Sequence, residues 1–296
     1  MAVVRARVGA RRAGTEDCPG VAPFVKPAGP RYLAGVLPAP CHVLSDVHLG
    51  VASPDVERQL LAFLRTVAAR GGSLLINGDL FDFWFEWRSV VPRIGVRVIA
   101  ALADLRDAGI PVVWLAGNHD CWGGDVLRDD FGIDYRVDAF ETDIAGWRTR
   151  VDHGDGLRAV EDRGYRALRR VLRHPWSIRA FRHLHPDLGT RLATGSSHAS
   201  RTYKVHEGGG GLREVAHALL AARPDLDLVI YGHSHEARLE RAPSGGAYAN
   251  AGTWLESPTY LRITPESVAL LRWNGSAEGE RLHSVDRGPE KALRQA

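Results

Sequence analysis

The chain carries five short polar motifs, and four of them follow an apolar run of residues typical of a buried strand. These motifs are Asp46-x-His48, Gly78-Asp79-x-x-Asp82, Gly117-Asn118-His119-Asp120, His153-Gly154-Asp155 and Gly232-His233-x-His235. Open α/β sheets place their sites outside the carboxyl ends of the strands, so such a sheet would bring the motifs together. The sequence must therefore fold so that several distant segments end at one edge.

Strand-like and helix-like segments alternate through the first half of the chain. A serine at an N-cap position, Ser53, is followed by proline at the first helical position and later by a glycine stop, which predicts a helix. The apolar run Leu74 to Ile76 follows, then a helix expected around Arg93 to Ala108, and then the run "IPVVWLAG". Such alternation favours an α/β layered fold. Short runs between Gly246 and Trp273 predict a closing set of antiparallel strands.

The length of 296 residues suits one large domain with an insertion. Residues 1–40 are rich in Gly, Pro and Ala without periodicity, so we expect a loose N-terminal arm. The domain is expected to span residues 41–274, with a polar tail over residues 275–296. Within it, residues 157–207 are rich in arginine and helical in character, which predicts a helical cap insertion.

The composition excludes several classes of protein. A net charge of +3 is too mild to indicate a nucleic-acid partner. Cys18, Cys41 and Cys121 form no CxxC pair, which favours a reducing compartment and argues against a thiolate metal site. No apolar stretch approaches the ~20 residues of a membrane span, and the arginine-rich amino end lacks the apolar core of a secretory signal. We therefore expect a cytoplasmic location.

The residue types in the motifs indicate metal chemistry. Each motif alone is more often a turn or a satisfied polar pair. Together they supply carboxylate, imidazole and amide oxygen, which hold divalent metals without thiolates. Seven candidate ligands suit two ions that share one carboxylate. Pairs of ions at roughly 3.5–4 Å act on phosphorus by in-line displacement.

In order and content, the motifs resemble the series of the calcineurin-like metallophosphoesterases, from Ser45 to about Thr253. The resemblance implies a four-layer α/β/β/α sandwich with the metals at the strand ends. It implies one ion held by Asp46, His48, Asp79 and His235. It implies a second ion held by Asp79, Asn118, His153 and His233, so that Asp79 bridges the pair.

The resemblance also implies roles for the residues beside these ligands. His119 belongs to neither ligand set, and its counterpart in the family approaches the phosphoryl oxygen or the leaving group. We therefore expect it to stabilise the transition state or to donate a proton. Asp120 is the other expected catalytic-site residue, orienting imidazoles or loop amides. Asp82 is either a similar orienting residue or the N-terminal acid of a helix.

A closer resemblance concerns the substrate. The stretches "GDLFDFWFEW", "GNHDCW", "HGDGL", "EDRGYR", "FRHLHPDLGTRLA" and "NAGTW" are similar to the UDP-2,3-diacylglucosamine diphosphatases of the lipid A pathway. Those enzymes release UMP and 2,3-diacylglucosamine 1-phosphate at the inner membrane surface, often with manganese. The resemblance implies two Mn²⁺ ions, although this ligand set also accepts Fe, Zn or Co. One residue differs from the pattern of these diphosphatases: their best-known branch has arginine at the position of His119.

The helical insertion suits a lipid substrate, because two acyl chains need an apolar chamber beside the phosphates. Its arginines suit an anionic membrane surface. Residues of the insertion that could line such a chamber are Leu157, Val160, Leu168, Leu172, Trp176, Ile178, Phe181 and Leu184. The aromatic run Phe81 to Trp87 is either the facing wall or plain core packing. Expected substrate-binding residues are Asp162, Tyr165, Arg201 and Lys204.

Three other functions are compatible with parts of the pattern. One is a phosphoesterase for another phosphodiester or nucleotide, which would show no preference for an acylated substrate. Another is a DNA nuclease, but the arginines lie on the expected lid rather than along a groove with aromatics. The last is a non-catalytic scaffold, which typically loses ligands, whereas every ligand position is filled here.

Overall fold

The computed structural model describes residues 36–158, 160–193, 195 and 210–288. Within these ranges, thirteen strands form two sheets. In chain order the strands are β1 (Val36–Leu37), β2 (Cys41–Leu44), β3 (Ser73–Asn77), β4 (Val112–Leu115), β5 (Asp134–Arg136), β6 (Phe140–Ile144), β7 (Trp147–Val151), β8 (Leu228–Tyr231), β9 (Arg238–Arg241), β10 (Ala247–Asn250), β11 (Thr259–Ile263), β12 (Ser267–Arg272) and β13 (Glu280–Asp286).

One sheet has seven strands in the order β13-β12-β11-β2-β3-β4-β5, and the other has six in the order β1-β6-β7-β8-β10-β9. The neighbouring strands β2, β3, β4 and β5 are parallel to one another, as are β7, β8 and β10. Of the expected antiparallel closing set, β11 and β12 pair with each other in antiparallel fashion, whereas β10 runs parallel to β8 and antiparallel to β9. Parallel central strands direct several chain segments to the same edge of the molecule.

Among the six described helices, the first two and the last pack on the outer faces of the sheets, and the other three belong to the insertion. The six are α1 (Pro54–Arg70), α2 (Val96–Asp107), α3 (Arg163–Leu172), α4 (Pro175–Arg182), a helical stretch α5 over 186–193, and α6 (Gly210–Ala222). A single π-helical turn spans Val126–Asp130.

Burial along β3 shows how the layers pack. Leu74 and Ile76 point into a core shared with α1 and α2, whereas Leu75 points into the core between the two sheets. On the far side, Leu212 and Leu220 of α6 bury the outer face of the six-stranded sheet. The alternation of Leu74, Leu75 and Ile76 between the two cores is the pattern of a strand buried on both faces. The order helix, sheet, sheet, helix confirms the expected four-layer α/β/β/α sandwich.

The insertion forms several short helices rather than one long one. α3 ends at Leu172, and Pro175 begins α4 at the first helical position, where a missing backbone N–H costs nothing. Pro186 begins α5 in the same manner. We call the described part of this insertion, residues 157–158 and 160–193, the cap. Residues 159, 194 and 196–207 of the expected insertion lie outside the described part of the chain.

Two expected boundaries need correction. Val36–Leu37 is not part of a loose arm, because it pairs in parallel with β6. Glu280–Asp286 is not part of a frayed tail, because it pairs with β12 and places Leu282 and Val285 against the core between the sheets. Its polar composition concealed the alternation of a half-exposed edge strand. Residues 1–35 and 289–296 lie outside the described part of the chain.

The aromatic run divides between two cores. Phe81 and Trp84 pack in the main core under α1 and α2. Phe83, Phe85 and Trp87 form a separate cluster beneath the cap. Of the two interpretations of this run, the structure favours packing, because all five rings are buried.

A buried acid within the same run, Glu86, organises the neighbouring loop. Its carboxylate accepts hydrogen bonds from the backbone N–H groups of Val126 and Leu127, at 3.0 and 3.3 Å. Trp84 Nε1 donates to the same carboxylate at 3.4 Å. Glu86 therefore satisfies donors at the start of the π-helical turn, although it lies about forty residues earlier in the chain.

We expect Glu86→Ala to lower the free energy of unfolding by about 1–3 kcal/mol, because it leaves buried N–H groups without an acceptor. Urea unfolding measures the change. Glu214→Ala, at an exposed position of α6, is the matched control and should leave stability unchanged. Equal unfolding free energies for the two variants would contradict this role of Glu86.

Within the described ranges, no helix has the length and apolar character that crossing a bilayer requires.

Candidate metal centre

Each of the five motifs begins within three residues of the end of a strand: β2, β3, β4, β7 and β8. The first three strands belong to the seven-stranded sheet and the other two to the six-stranded sheet. All five motifs reach the same edge of the sandwich, where the predicted ligands meet. This is the position at which parallel strands place their functional side chains.

Backbone conformation singles out the same residues. Six non-glycine residues among those described have a positive φ, and five of them are predicted metal ligands. These five are Asp46 at 52°, His48 at 51°, Asp79 at 53°, His233 at 64° and His235 at 61°. Such conformations cost roughly 1–3 kcal/mol each and are retained mainly where function requires them. The strain therefore marks this edge as a functional site.

The first group of ligands comprises Asp46, His48 and His235. Asp46 Oδ1 lies 3.4 Å from His235 Nε2, and the two imidazole Nε2 atoms of His48 and His235 lie 3.1 Å apart. Asp46 and His48 are almost fully buried, whereas His235 is half-buried. Their ligand atoms all lie within 4.8 Å of one another, which is close enough to share one cation.

The second group comprises Asp79, His153 and His233, again with ligand atoms within 4.8 Å. Asp79 Oδ2 is 3.2 Å from His153 Nε2 and 3.9 Å from His48 Nε2 of the first group. The Asp79 carboxylate therefore lies between the two groups, in the position that a bridging ligand requires.

Two buried oxygen atoms favour cation binding. Asn118 Oδ1 and Asp46 Oδ1 are inaccessible to solvent and accept no hydrogen bond within the described structure. A buried acceptor without a donor is costly, and a divalent cation is a suitable partner for both oxygens. The residues present thus fit two divalent ions, one near Asp46, His48 and His235 and one near Asn118, His153 and His233.

Three glycines of the motifs allow the ligands to approach. A Cβ added at Gly78 would clash with the His153 ring, one at Gly117 with the Asp79 carboxylate, and one at Gly232 with the Ser45 hydroxyl. The glycines in the motifs are therefore required by close packing at the ligands.

His119 lies beside the first group, and one of its ring nitrogens is within 4.8 Å of ligand atoms of His48 and Asp79. Its ring is 4.9 Å from that of His48, and its Nδ1 is 3.1 Å from the carbonyl oxygen of Asp82. Burial lowers the pKa of His119, and the nearby Asp79 and Asp82 carboxylates oppose this shift only in part. With Nδ1 directed at Asp82, Nε2 is the nitrogen turned away from Asp82.

The acids beside His119 hold their surroundings in place. Asp82 Oδ1 lies 3.5 Å from His48 Nδ1 and 3.6 Å from His119 Nδ1, so it orients two imidazoles. Asp120 accepts from the backbone N–H groups of Leu80 at 2.8 Å and Gly117 at 2.7 Å. Burial, with the neighbouring Asp79, raises the pKa of Asp120 to about 7. Asp120 thus connects the loop of Asp79 with the loop of Asn118.

The neighbouring carboxylates also set the protonation of two histidines of the centre, His153 and His48. Burial alone would lower the pKa of His153, but Asp79 at 3.2 Å, together with Asp46 and Asp155, outweighs burial and raises the pKa to about 10. The pKa of His48 is also raised, because Asp82, Asp79 and Asp46 together outweigh burial. His153 therefore holds a proton near pH 7 in the metal-free protein, and the raised pKa of His48 favours its protonated form.

We expect metal binding at pH 7 to release protons, since His153 must be neutral to coordinate an ion. Metal affinity should rise with pH towards about 10, the pKa of His153. In the metal-free protein, the His153–Asp79 pair contributes its full stabilisation below pH 6.5, the ordinary pKa of histidine. This contribution is lost as the pH rises through about 10, the pKa of His153 in the folded protein. Calorimetric Mn²⁺ titration in two buffers of different ionisation enthalpy counts the protons. Identical heats in both buffers would contradict the expectation.

Several supporting residues were not predicted from the sequence. Ser45 Oγ donates to the Asp46 carboxylate, and Thr253 Oγ1 donates to the Asp46 carbonyl oxygen at 2.7 Å. Asn250 Nδ2 donates to the Gly232 carbonyl oxygen at 3.0 Å, which fixes the loop of His233 and His235. Asn250 and Thr253 belong to the stretch "NAGTW", which was the available signal.

The expected substrate-binding residues lie farther out. Asp162 is buried and accepts from Arg158, with Nη2 to Oδ1 at 2.7 Å. Tyr165 donates from its hydroxyl to Asp155 Oδ2 at 2.7 Å. Neither side chain is among the groups of metal-ligating atoms. Arg201 and Lys204 lie outside the described residues.

Comparison with known proteins agrees with this geometry. The sequence model described as calcineurin-like phosphoesterase matches residues 39–237. A UDP-2,3-diacylglucosamine hydrolase of Porphyromonas gingivalis is 32% identical over 214 residues, which cover 64% of this chain and 81% of the relative. A UDP-2,3-diacylglucosamine hydrolase of Xanthomonas oryzae is 30% identical over 242 residues, which cover 77% and 96%.

Among solved structures, a Vps29 variant from Entamoeba histolytica superposes with a TM-score of 0.43 at 15% identity. The superposition covers 84% of this chain and 99% of that protein.

Proposed function

Since the chain belongs to the calcineurin-like phosphoesterase family, we propose that it cleaves the diphosphate of UDP-2,3-diacylglucosamine to UMP and 2,3-diacylglucosamine 1-phosphate. The chain is a metal-dependent phosphoesterase, and its family implies a dinuclear centre. The specific substrate is supported mainly by the relatives of about 30% identity, which are named hydrolases of that compound. The cap adds a physical reason, because it places apolar side chains beside a metal centre.

We assign the ions as Mn²⁺, held by Asp46, His48, Asp79 and His235 on one side and by Asp79, Asn118, His153 and His233 on the other. When bound, such ions activate water and neutralise the charge that develops at phosphorus. Oxygen and nitrogen ligands suit manganese, and they also suit iron, zinc or cobalt. The protein's contribution is to fix the ligands through strained loops and the hydrogen bonds of Ser45, Asp120 and Asn250.

His119 is the proposed catalytic residue that is not a ligand. Its lowered pKa favours the neutral ring near pH 7, and Asp82 fixes the direction of Nδ1. Nε2 is then the nitrogen that contacts the phosphoryl oxygen or the leaving group. Asp120 keeps the loops of Asp79 and His119 in register through its two backbone hydrogen bonds.

The cap, within the proposed insertion 157–207, is the proposed lipid-facing part. Its exposed apolar residues are Val160, Leu168, Val171, Leu172, Trp176, Leu188 and Leu192. Arg179 lies 5.4 Å from the Trp176 ring. An apolar surface with interspersed cations suits peripheral contact with the inner membrane from the cytoplasmic side. Asp162, Tyr165, Arg201 and Lys204 are proposed to contact the substrate headgroup.

The deciding experiment is turnover of UDP-2,3-diacylglucosamine beside bis-p-nitrophenyl phosphate and UDP-N-acetylglucosamine, with added Mn²⁺ and resolution of the phosphorus products. Release of UMP with strong preference for the acylated substrate supports the proposal. Turnover of the chromogenic diester alone would leave a phosphoesterase with another phosphodiester or nucleotide substrate. No turnover of any of the three, with two ions bound, would favour a scaffold.

We expect Trp176→Ala to raise the KM for the acylated substrate about thirtyfold, because burial of an aromatic ring against an acyl chain contributes roughly 2 kcal/mol. Trp176 is 71% exposed, so its loss should not disturb folding, whereas Phe181 packs beneath the cap against Phe85 and Trp87. Steady-state kinetics in detergent micelles gives the KM. Val96→Ala, exposed on α2, is the matched control. An equal loss of Trp176→Ala on the chromogenic diester would argue against lipid contact.

A further inference from the structure

Asp155, the last residue of the fourth motif His153-Gly154-Asp155, is a buried carboxylate that contacts the cap. It is only 1% exposed. Tyr165 Oη donates to its Oδ2 at 2.7 Å, and Arg169 Nε and Arg173 Nη2 lie 3.4 and 3.6 Å from the same oxygen. Arg169 Nη1 also donates to the Asp155 carbonyl oxygen at 3.0 Å. One buried acid thus gathers three cap side chains.

The three cap residues share one face of the cap. They occur every fourth residue along α3 and its C-cap, which places them above one another. Helix α3 can therefore present all three to a single carboxylate only in one orientation. Two guanidinium groups and a hydroxyl approach Oδ2 of the Asp155 carboxylate, which offsets its buried charge, whereas Oδ1 accepts no hydrogen bond within the described structure.

Arg173 extends the connection to a second ligand loop. Its Nη2 donates at 3.1 Å to the carbonyl oxygen of Gly117, the residue before Asn118. Its Nη1 donates at 2.9 Å to the carbonyl oxygen of Val137. Helix α3 is therefore connected both to the loop of His153 and to the loop of Asn118 and His119.

Other contacts hold the cap independently of Asp155. Trp87 Nε1 donates to the Leu184 carbonyl oxygen at 3.2 Å, and Trp122 Nε1 donates to the Leu172 carbonyl oxygen at 3.0 Å. The aromatic cluster of Phe83, Phe85 and Trp87 packs against the cap as well. A substitution at Asp155 should therefore shift α3 without releasing the whole cap.

We propose that Asp155 is a positioning residue, which sets the orientation of α3 over the His153 and Asn118 side of the metal centre. Through α3 it would align a substrate that contacts both the cap and the ions. A small phosphodiester needs no contact with the cap and would depend on this alignment far less. The kinetic test of this inference rests on the proposed function, so a second test uses no substrate.

The kinetic test compares Asp155→Asn and Arg173→Gln with Arg170→Gln. Arg170 is exposed on the same helix, so its substitution removes the same charge as Arg173→Gln without these contacts. The ratio of kcat/KM for UDP-2,3-diacylglucosamine to that for bis-p-nitrophenyl phosphate should fall about tenfold in the first two variants. It should stay at the wild-type value in Arg170→Gln. Equal losses on both substrates, or no change in the ratio, would overturn the positioning role.

The second test is limited trypsin digestion of the full-length protein with Mn²⁺ bound, because the cap is rich in arginine. Asp155→Asn should speed cleavage within the cap several-fold while bound metal and the thermal midpoint of the remaining fold are retained. Asp187→Asn, the same change at an exposed cap position, is the control. Unchanged cap cleavage in Asp155→Asn would contradict the proposal.

The two tests separate the two claims. If the wild-type protein does not turn over the acylated substrate, the proposed function fails, and the digestion still decides whether Asp155 orients the cap. If Asp155→Asn does not fold, Tyr165→Phe and Arg173→Gln remove single contacts to the same carboxylate. Cap cleavage should still quicken in Tyr165→Phe, and an unchanged rate there would overturn the proposal.

Discussion

Asp79→Ala is expected to lose both metal ions and all measurable turnover. The Asp79 carboxylate is 1% exposed and lies between the two ligand groups, 3.2 Å from His153 and 3.9 Å from His48. It is the only carboxylate assigned to both ions. His153, His48 and His119 hold its pKa well below the usual range against the effect of burial, so it is ionised throughout the working pH range. Metal analysis of the purified protein and assay of the chromogenic diester measure the two losses.

A thermal shift gives a readout that does not depend on activity. Saturating Mn²⁺ should raise the melting temperature of the wild-type protein, since a ligand at 100 times its Kd stabilises by about 2.7 kcal/mol. The same addition should leave Asp79→Ala unchanged. Asp79→Asn keeps the shape of the side chain and should behave like the alanine variant. Asp104→Ala, at an exposed position of α2, should behave as wild type. Two ions retained in Asp79→Asn would disprove the bridging role.

His119→Ala is expected to keep both ions and to lose turnover by about 10²–10⁴-fold, the usual contribution of a general acid or base. The ring contacts His48 and Asp82, but it is outside the ligand sets assigned to the two ions. Metal analysis beside kcat on both substrates separates binding from chemistry.

The control for this variant is His283→Ala, at an exposed position of β13. It should match the wild-type protein in metal content and in kcat. Full turnover in His119→Ala would remove the catalytic role of His119. Loss of an ion from that variant would instead make His119 a ligand.

The sequence predicted the layered fold and the residues that meet at its edge, because both follow from local patterns. Apolar runs that end in Asp, Asn or His mark strand ends, and parallel strands bring such ends together. Each motif is recognised from a few consecutive residues, without knowledge of contacts between distant parts of the chain. The glycines before Asp79 and Asn118 were visible for the same reason.

Other features depend on contacts that no local pattern records. Glu86 caps a turn about forty residues later, and Arg173 reaches the carbonyl oxygen of Gly117. Strand β13 looked like a polar tail, since only Leu282 and Val285 face the core. In the sequence, nothing distinguishes Asp155 from other acids, because its three cap partners depend on the tertiary position of α3. Such tertiary contacts override local composition.

The distribution of ligands over the two sheets has a mechanical consequence. Asp46, His48, Asp79 and Asn118 follow strands of the seven-stranded sheet, whereas His153, His233 and His235 follow strands of the six-stranded sheet. Each ion, in the assignment proposed above, takes ligands from both sheets. A bound ion is then a non-covalent crosslink between the two sheets, at one end of the apolar interface that they share. Chelation would remove these crosslinks, so the occupancy of the site and the cohesion of the two halves are one linked equilibrium.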